Sequence, residues 1–396
     1  MKLDANAHLT YCSNIHPGES WEEVRDALKQ HIPQVRNHLG HSGEFGLGLR
    51  LSARAARSLR DPSALAAFRD WMASENTYVF TLNGFPYGPF HGTPVKEAVY
   101  RPDWSTPERV QYTQDLIEVL AALLPEGVEG SISTVPGGFR HDPAASQPAS
   151  IVRHLITSAY HCWQHAEQTG TRLCIALEPE PMCMLETTAE AAAFFRDHVF
   201  STGAIEQFVA LARCSRSEAE RALRAHLGIC FDTCHAAVEY ENPRAGPAQL
   251  DAEGIRIAKV QVTAGLELQH PDAEGLERLE AFAEGVYLHQ VVVRASDGLL
   301  RLLDLPEALE RARRGDLPRG PWRVHLHVPV FSELEPPLTA TKQFIRDAMP
   351  ELRARSQHFE VETYTWDVLP PSLRTRSLDA SIAEELRWAS NTWHSP

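Results

Sequence analysis

The sequence has no CxxC pair, and its seven cysteines are an odd number. That pattern excludes a thiolate zinc cluster and offers no even disulfide framework. Cys174 and Cys230 sit in apolar runs and read as small buried residues. No run approaches the roughly 20 apolar residues that a membrane span needs. The first residues, MKLDANAHLTYCSN, hold no apolar core of signal-peptide length. The expectation is a reduced, cytoplasmic protein with no membrane span. A Lys/Arg stripe is also missing: 38 basic residues face 52 acidic ones, for a net charge of −14. That balance argues against nucleic acid or an anionic membrane as partner. Gly and Pro are not in excess, and no low-complexity tract interrupts the chain.

What is present is alternation. Short apolar runs, read as strands, occupy 2–9, 45–51, 77–85, 130–135, 172–178, 227–232, 257–264 and 358–364. Amphipathic stretches lie between them. Ser20 with Glu23, Thr187 with Glu190, and Ser217 with Glu220 read as capping boxes. Thr106-Pro107 reads as an N-cap followed by the first helical residue. Strand followed by helix, repeated, implies a parallel sheet covered by helices. Eight such strands predict an α/β fold, a closed (β/α)8 TIM barrel, whose usual core is about 250 residues. With 396 residues, the reading is one barrel domain over 1–396 with an insertion at 265–323. The inserted region between the seventh and eighth barrel strands holds an apparent hairpin, with Asp297-Gly298 as its turn, and a strand at 322–328. An open doubly wound sheet is the runner-up, and the lack of a GxGxxG after the first strand counts against it.

In a parallel barrel the reacting groups sit where strands end. CIALE ends in Glu178, GICFD in Asp232, and FEVE in Glu362. KVQV carries Gln261, TLNGF ends near Asn83, and the first strand ends near His8. HLH supplies His325 and His327, which share a face because strand side chains alternate. A lone carboxylate at a strand end is most often a helix cap or an ion-pair partner. A lone histidine there is most often structural. Several acids and imidazoles gathered in one mouth are different, because without a cation the acids would repel one another. Oxygen and nitrogen ligands of this kind suit Mn, Mg, Co or Zn. His8, His91, Arg140 and Trp366 are further mouth candidates for substrate contact, each with a structural reading beside it. Glu180 and Glu360 read as spare acids, with Glu360 turned away from Glu362.

LEPEP around Glu178, FDTCH at Asp232 and His235, and EVETYTW around Glu362 resemble the xylose-isomerase-like TIM-barrel superfamily of sugar isomerases, sugar epimerases and endonuclease IV-type enzymes. The resemblance implies a divalent metal held by Glu178, Asp232 with His235, and Glu362. Gln261 stands where sugar-enzyme members have His, and His325 or His327 is the candidate replacement. NGFPYGPFHG, STVPGGFR, VHLHVPVF and VETYTWDVLP are similar to a narrower branch, the metabolite traffic protein EboE family, whose name refers to a gene cluster and not to a reaction. Three functions follow as expectations. The first is a metal-dependent isomerase or epimerase on a hydroxy-carbonyl small molecule, with Glu178, Glu362 and His235 catalytic and Asn83, His8, His91, Arg140 and Trp366 on the substrate. The second is a metabolite-binding carrier without catalysis. The third is a zinc phosphodiesterase of the endonuclease IV kind. A small-molecule substrate is the expected partner, with a homodimer or proteins of the same gene cluster as further candidates.

Overall fold

The structure is a computed structural model and describes residues 1–143 and 147–395. The barrel strands are β1 (His8–Tyr11), β2 (Phe45–Arg50), β3 (Thr77–Asn83), β4 (Gly130–Thr134), β5 (Leu173–Leu177), β6 (Leu227–Asp232) and β7 (Arg256–Val262). A second group of strands then intervenes: β8 (Ala264–Leu268), β9 (Val291–Ala295), β10 (Gly298–Leu302), β11 (Trp322–Val328) and β12 (Leu338–Ala340). The chain returns to the barrel with β13 (His358–Val361).

The eight barrel strands pair in the order β1-β13-β7-β6-β5-β4-β3-β2, all parallel. They are buried on both faces, which is why they read as unbroken apolar runs. The chain is thus a (β/α)8 barrel with an insertion between its seventh and eighth strands.

The barrel closes between β1 and β2 with few backbone bonds. A parallel bridge joins Cys12 to Gly48. Thr10 Oγ1 donates to the Gly46 carbonyl at 2.7 Å, and the Arg50 amide donates to Ser13 Oγ at 2.8 Å. The glycines are required by this approach. A Cβ on Gly48 would lie 2.7 Å from the Tyr11 carbonyl oxygen and 2.8 Å from a Glu360 carboxylate oxygen. Outside the barrel, the helix Leu378–His394 packs on the first helix, Trp21–Leu39, and covers the same seam.

Helix starts follow the expected chemistry with one shift. Ser20 with Glu23 and Thr187 with Glu190 are full capping boxes. The helix Arg216–His226 is capped by Ser215 with Glu218, two residues before the predicted pair. Ser-Arg-Ser puts two candidate caps two positions apart, and the earlier one begins the helix. Thr106 sits at the N-cap, but its hydroxyl bonds the Asp103 carbonyl instead of the helix.

The intervening strands form a second, antiparallel sheet in the order β10-β9-β11-β8-β12. β9 and β10 make the expected hairpin, but Gly298 pairs with Ala295, so the turn is Ser296-Asp297, one residue earlier than expected. On β11 the register slips: Val324 pairs with Leu266 and Val328 with Ala264, so His325-Leu326-His327 stand opposite Gly265 alone. A Cβ on Gly265 would approach Cys234 Sγ and the Val324 carbonyl oxygen, both at 2.9 Å. Extra residues on one strand make a bulge, which re-aims side chains. Among the described residues no helix is long and apolar enough to cross a membrane, and all seven cysteines are free.

The tight seam makes a simple expectation. Gly48→Ala should lower stability by about 1–3 kcal/mol, the usual cost of forcing extra atoms into a packed interior. Gly203→Ala, at a helical glycine with nothing within 4 Å of its Cβ position, should not. Denaturant unfolding followed by circular dichroism compares the two, and equal midpoints would count against a close-packed seam.

Candidate functional site

At the carboxyl ends of the barrel strands lies a cavity with about 520 Å³ of empty space, its open mouth included. Glu178, Glu180, His235, His325, His327, Glu362, Asn14 and Asn83 are among its lining residues. Asp232 ends β6 beside them, buried.

Asp232, Glu362 and Glu180 are held from behind. Asp232 Oδ1 accepts from the amides of Cys234 and His235, at 2.7 and 2.9 Å, and from Thr263 Oγ1 at 2.6 Å. It therefore also caps the short helix Thr233–Val238, which carries His235. Glu362 Oε1 accepts from Asn14 Nδ2 at 2.7 Å and Asn83 Nδ2 at 2.8 Å. Glu180 Oε1 accepts from the Tyr100 hydroxyl at 2.7 Å.

The imidazole tautomers follow from their partners. His235 Nδ1 lies 2.9 Å from the Pro179 carbonyl oxygen, so Nδ1 carries the proton. His327 Nδ1 lies 2.9 Å from the Glu362 carbonyl oxygen and is fixed in the same way. The Gln290 amide donates Nε2 to the Pro181 carbonyl and to the Tyr100 hydroxyl. Its oxygen must then accept from His325 Nδ1, at 2.7 Å. All three rings thus present an Nε2 lone pair to the mouth.

Those lone pairs meet. His235 Nε2 and His325 Nε2 are 3.0 Å apart, and one nitrogen from each of the three rings falls within a 4.8 Å cluster. Two lone pairs at hydrogen-bond distance need something positive between them. Burial disfavours a proton, holding His235 at about 3 and His327 at about 4 and His325 well below its usual range. The acids show the complementary problem. Glu178 Oε2, Asp232 Oδ2 and His327 Nε2 are buried with no hydrogen-bond partner. Burial, with Glu362 and Asp232 alongside, pushes Glu178 well above the carboxylate range. Burial and Asp232 push Glu362 up to about 8, and burial takes Glu180 up to about 8.

Glu178, Asp232 and His235 form a second ligand-like cluster, and Asp232, Cys234 and His327 a third. A divalent cation suits this donor set: carbonyl- or amide-backed imidazoles, with unpaired carboxylate oxygens beside them. Gln261 is the odd member. Its Oε1 accepts from the Cys230 thiol at 3.2 Å, and its Nε2 is unpaired.

Beneath the mouth lies a feature that corrects the expectation for Glu360. Positions two apart on a strand share a face, so Glu360 points into the barrel like Glu362. There it pairs with Lys259 at 2.8 Å, both side chains fully buried. Lys259 also donates to Ser133 Oγ at 3.2 Å. A lysine inside the apolar run IAKVQV was the signal for this pair.

Four expected substrate contacts lie elsewhere. His8 begins β1 instead of ending it, because the strand starts six residues later than predicted. Its ring bonds the Tyr78 hydroxyl at 2.9 Å and packs on Phe80 and His358 at the opposite barrel end. Arg140 is committed to Glu190 at 2.8 Å and Glu186 at 3.2 Å. Trp366 is buried in the main apolar core. His91 is tied to the Asn14 carbonyl and the Tyr287 hydroxyl, behind the cavity wall. Asn83 does reach the cavity, where it orients Glu362. Asn14, Tyr100 and Gln290 carry no sequence signal for their roles; they become neighbours only when the barrel closes and the second sheet folds over it.

No protein-family model matches the chain, and no curated protein matches its sequence. Solved structures align along most of its length. A D-allulose 3-epimerase from Methylomonas sp. is 12% identical, covering 99% of this chain and 100% of its own, at a TM-score of 0.49. An L-ribulose 3-epimerase is 11% identical over 98% of this chain and 94% of its own, at 0.47. The IolI protein with a binding zinc atom is 13% identical over 97% and 96%, at 0.42. These are likenesses in the overall course of the chain, at identities too low to carry a function across.

Removing one partner of the buried pair should be costly. Lys259→Met leaves Glu360 desolvated and should lose about 3–5 kcal/mol, whereas Lys259→Met with Glu360→Gln should recover most of it. Urea midpoints of the three proteins decide this, and equal values for the single and double variants would contradict a structural role for the ion pair.

Proposed function

We propose that this chain is a divalent-metal-dependent isomerase or epimerase acting on a hydroxy-carbonyl small molecule. The observation that carries the reading is the set of overlapping ligand-like clusters built from His235, His325, His327, Asp232 and Glu178, with Glu178 Oε2 and Asp232 Oδ2 unpaired among them. His235, His325, His327, Asp232, Glu178 and Glu362 would hold the ion, with Gln261 set aside because its oxygen already accepts from Cys230. When bound, a divalent ion supplies electrophilic polarisation of a substrate carbonyl and its neighbouring hydroxyl.

The chain's own groups do the rest. Glu178 and Glu362 stand on different barrel strands and face one cavity. One takes the proton from the carbon beside the carbonyl, and the other returns a proton to the carbon skeleton. Asn14 and Asn83 fix the Glu362 carboxylate through Oε1, leaving Oε2 for that exchange. His235 would hold the ion through Nε2, its ring locked by the Pro179 carbonyl. The narrower sequence resemblance, to the metabolite traffic branch, is compatible with such an enzyme serving a biosynthetic or traffic gene cluster.

The three imidazoles favour a second reading, a zinc phosphodiesterase. Ligand clusters that overlap at Asp232, His235 and His327 would suit more than one ion. The net charge of −14 opposes a nucleic-acid substrate.

Elemental mass spectrometry separates these readings. The epimerase reading expects on the order of one divalent ion per folded chain, lost in Asp232→Asn with His327→Ala. Two or three zinc ions per chain would favour the phosphodiesterase instead. No retention after incubation with Mn, Co, Zn or Mg would leave a metabolite carrier.

Chemistry is tested separately in D2O. The proton transfer should place deuterium on the carbon beside the carbonyl of a turned-over ketose. Glu178→Gln or Glu362→Gln should slow that exchange by about 10²–10⁴-fold. Metal-loaded protein that exchanges no deuterium across a broad panel of ketoses and ketose conjugates would rule the proposal out.

A further inference from the structure

The cavity has two chemically distinct halves, supplied by different parts of the chain. The floor is polar: Glu178, Glu362 and Asn83 stand at barrel strand ends, His235 on the helix after β6, and His325 and His327 on β11. The opposite wall is built by the segment after β3 and by the inserted segment before β9. Phe85, Phe90, Val95, Val99, Tyr287 and Leu288 line it. Phe90, Val95 and Tyr287 form a small apolar cluster of their own, separate from the main core, with Val99 and Tyr364 packed against it.

The polar atoms on this wall are nearly all committed. The Tyr100 hydroxyl donates to Glu180 and accepts from Gln290. The Tyr287 hydroxyl pairs with His91. Lys96 Nζ is spent on the carbonyls of Glu284 and Tyr287 and on Asp304, the last at 2.6 Å. Only Tyr364 brings a hydroxyl to the wall without a hydrogen bond among the described residues. A free sugar carries hydroxyls on every side, and those turned to this wall would be desolvated without partners, which is costly.

We infer that the substrate is amphiphilic: a hydroxy-carbonyl end sits on the polar floor, and an apolar or aromatic substituent sits against the wall. This rests on the epimerase reading for the chemistry at the floor, but the wall stands on its own geometry. The substrate class is then an aryl or alkyl conjugate of a ketose or cyclitol, and not the free polyol.

Two measurements test it, one blind to catalysis. The neutral fluorophore N-phenyl-1-naphthylamine should bind full-length protein saturably at one site. Val99→Asp and Leu288→Asp, each checked for folding by circular dichroism, should weaken that binding by about tenfold or more, as expected for charge placed in an apolar contact. Glu178→Gln, which alters only the floor, should leave it in place. No saturable binding, or binding indifferent to both wall variants, overturns the inference. The second measurement compares kcat/KM for ketoses with that for their phenyl or hexyl conjugates. A preference for the conjugates of about tenfold or more, lost in the folded wall variants, supports it. Free ketoses turned over as well as the conjugates overturn it. Wall-dependent probe binding without turnover of any compound would instead sink the epimerase reading and uphold the apolar subsite.

Discussion

Several carboxylates withdrawn from water into one barrel mouth set the terms for this protein. Glu178, Glu180, Asp232 and Glu362 are all buried there, and the nearest buried cation, Lys259, is paired with Glu360 one layer down. Uncompensated, such groups resist ionisation, and their elevated proton affinities express that. The surrounding structure answers with hydrogen bonds. Two asparagine amides, two backbone amides, a threonine and a tyrosine are spent on three of these acids, Glu362, Asp232 and Glu180. What remains unpaired, Glu178 Oε2, Asp232 Oδ2 and His327 Nε2, is what the proposal of a bound cation rests on.

The barrel alone does not complete the donor set. Its seventh strand offers Gln261, a neutral amide engaged by Cys230. Two of the imidazoles come from outside the barrel, on β11 of the second sheet. They arrive there because β11 bulges against β8, with Gly265 opposite the three residues His325-Leu326-His327. The insertion is therefore part of the site's construction. It also supplies Tyr287 and Leu288 to the cavity wall and Gln290 to orient His325. One inserted segment thus fixes an imidazole tautomer and shapes the cavity together. A change in how the second sheet docks would alter the donor set and the apolar wall at once.

Much of the fold was legible before the structure. Buried parallel strands leave long apolar runs, and helices announce themselves by capping boxes, so the eight-strand barrel and the inserted hairpin could be read directly. Glu178, Asp232 and Glu362 were legible as well, because an acid at the end of an apolar strand is conspicuous. The misreadings share a physical origin. The first strand begins where it was thought to end, which moves His8 to the far end of the barrel. Arg140 is a loop arginine whose charge is spent on two nearby glutamates, a pairing that sequence order does not display. Glu360 was set aside although strand alternation puts it on the same face as Glu362, and Lys259 confirms that it points inward.

The sequence by itself determined the periodicity: which segments are strands, which are helices, and which acids stand at strand ends. Those are local properties, set by side-chain alternation and capping within a few residues. The tertiary structure decided the rest, because it depends on residues far apart in the chain becoming neighbours. Asn14 meets Glu362 across 348 positions, and His235 meets His325 across 90. Neither distance nor tautomer can be read from spacing, since each ring's proton is placed by a carbonyl or amide brought in from elsewhere in the fold.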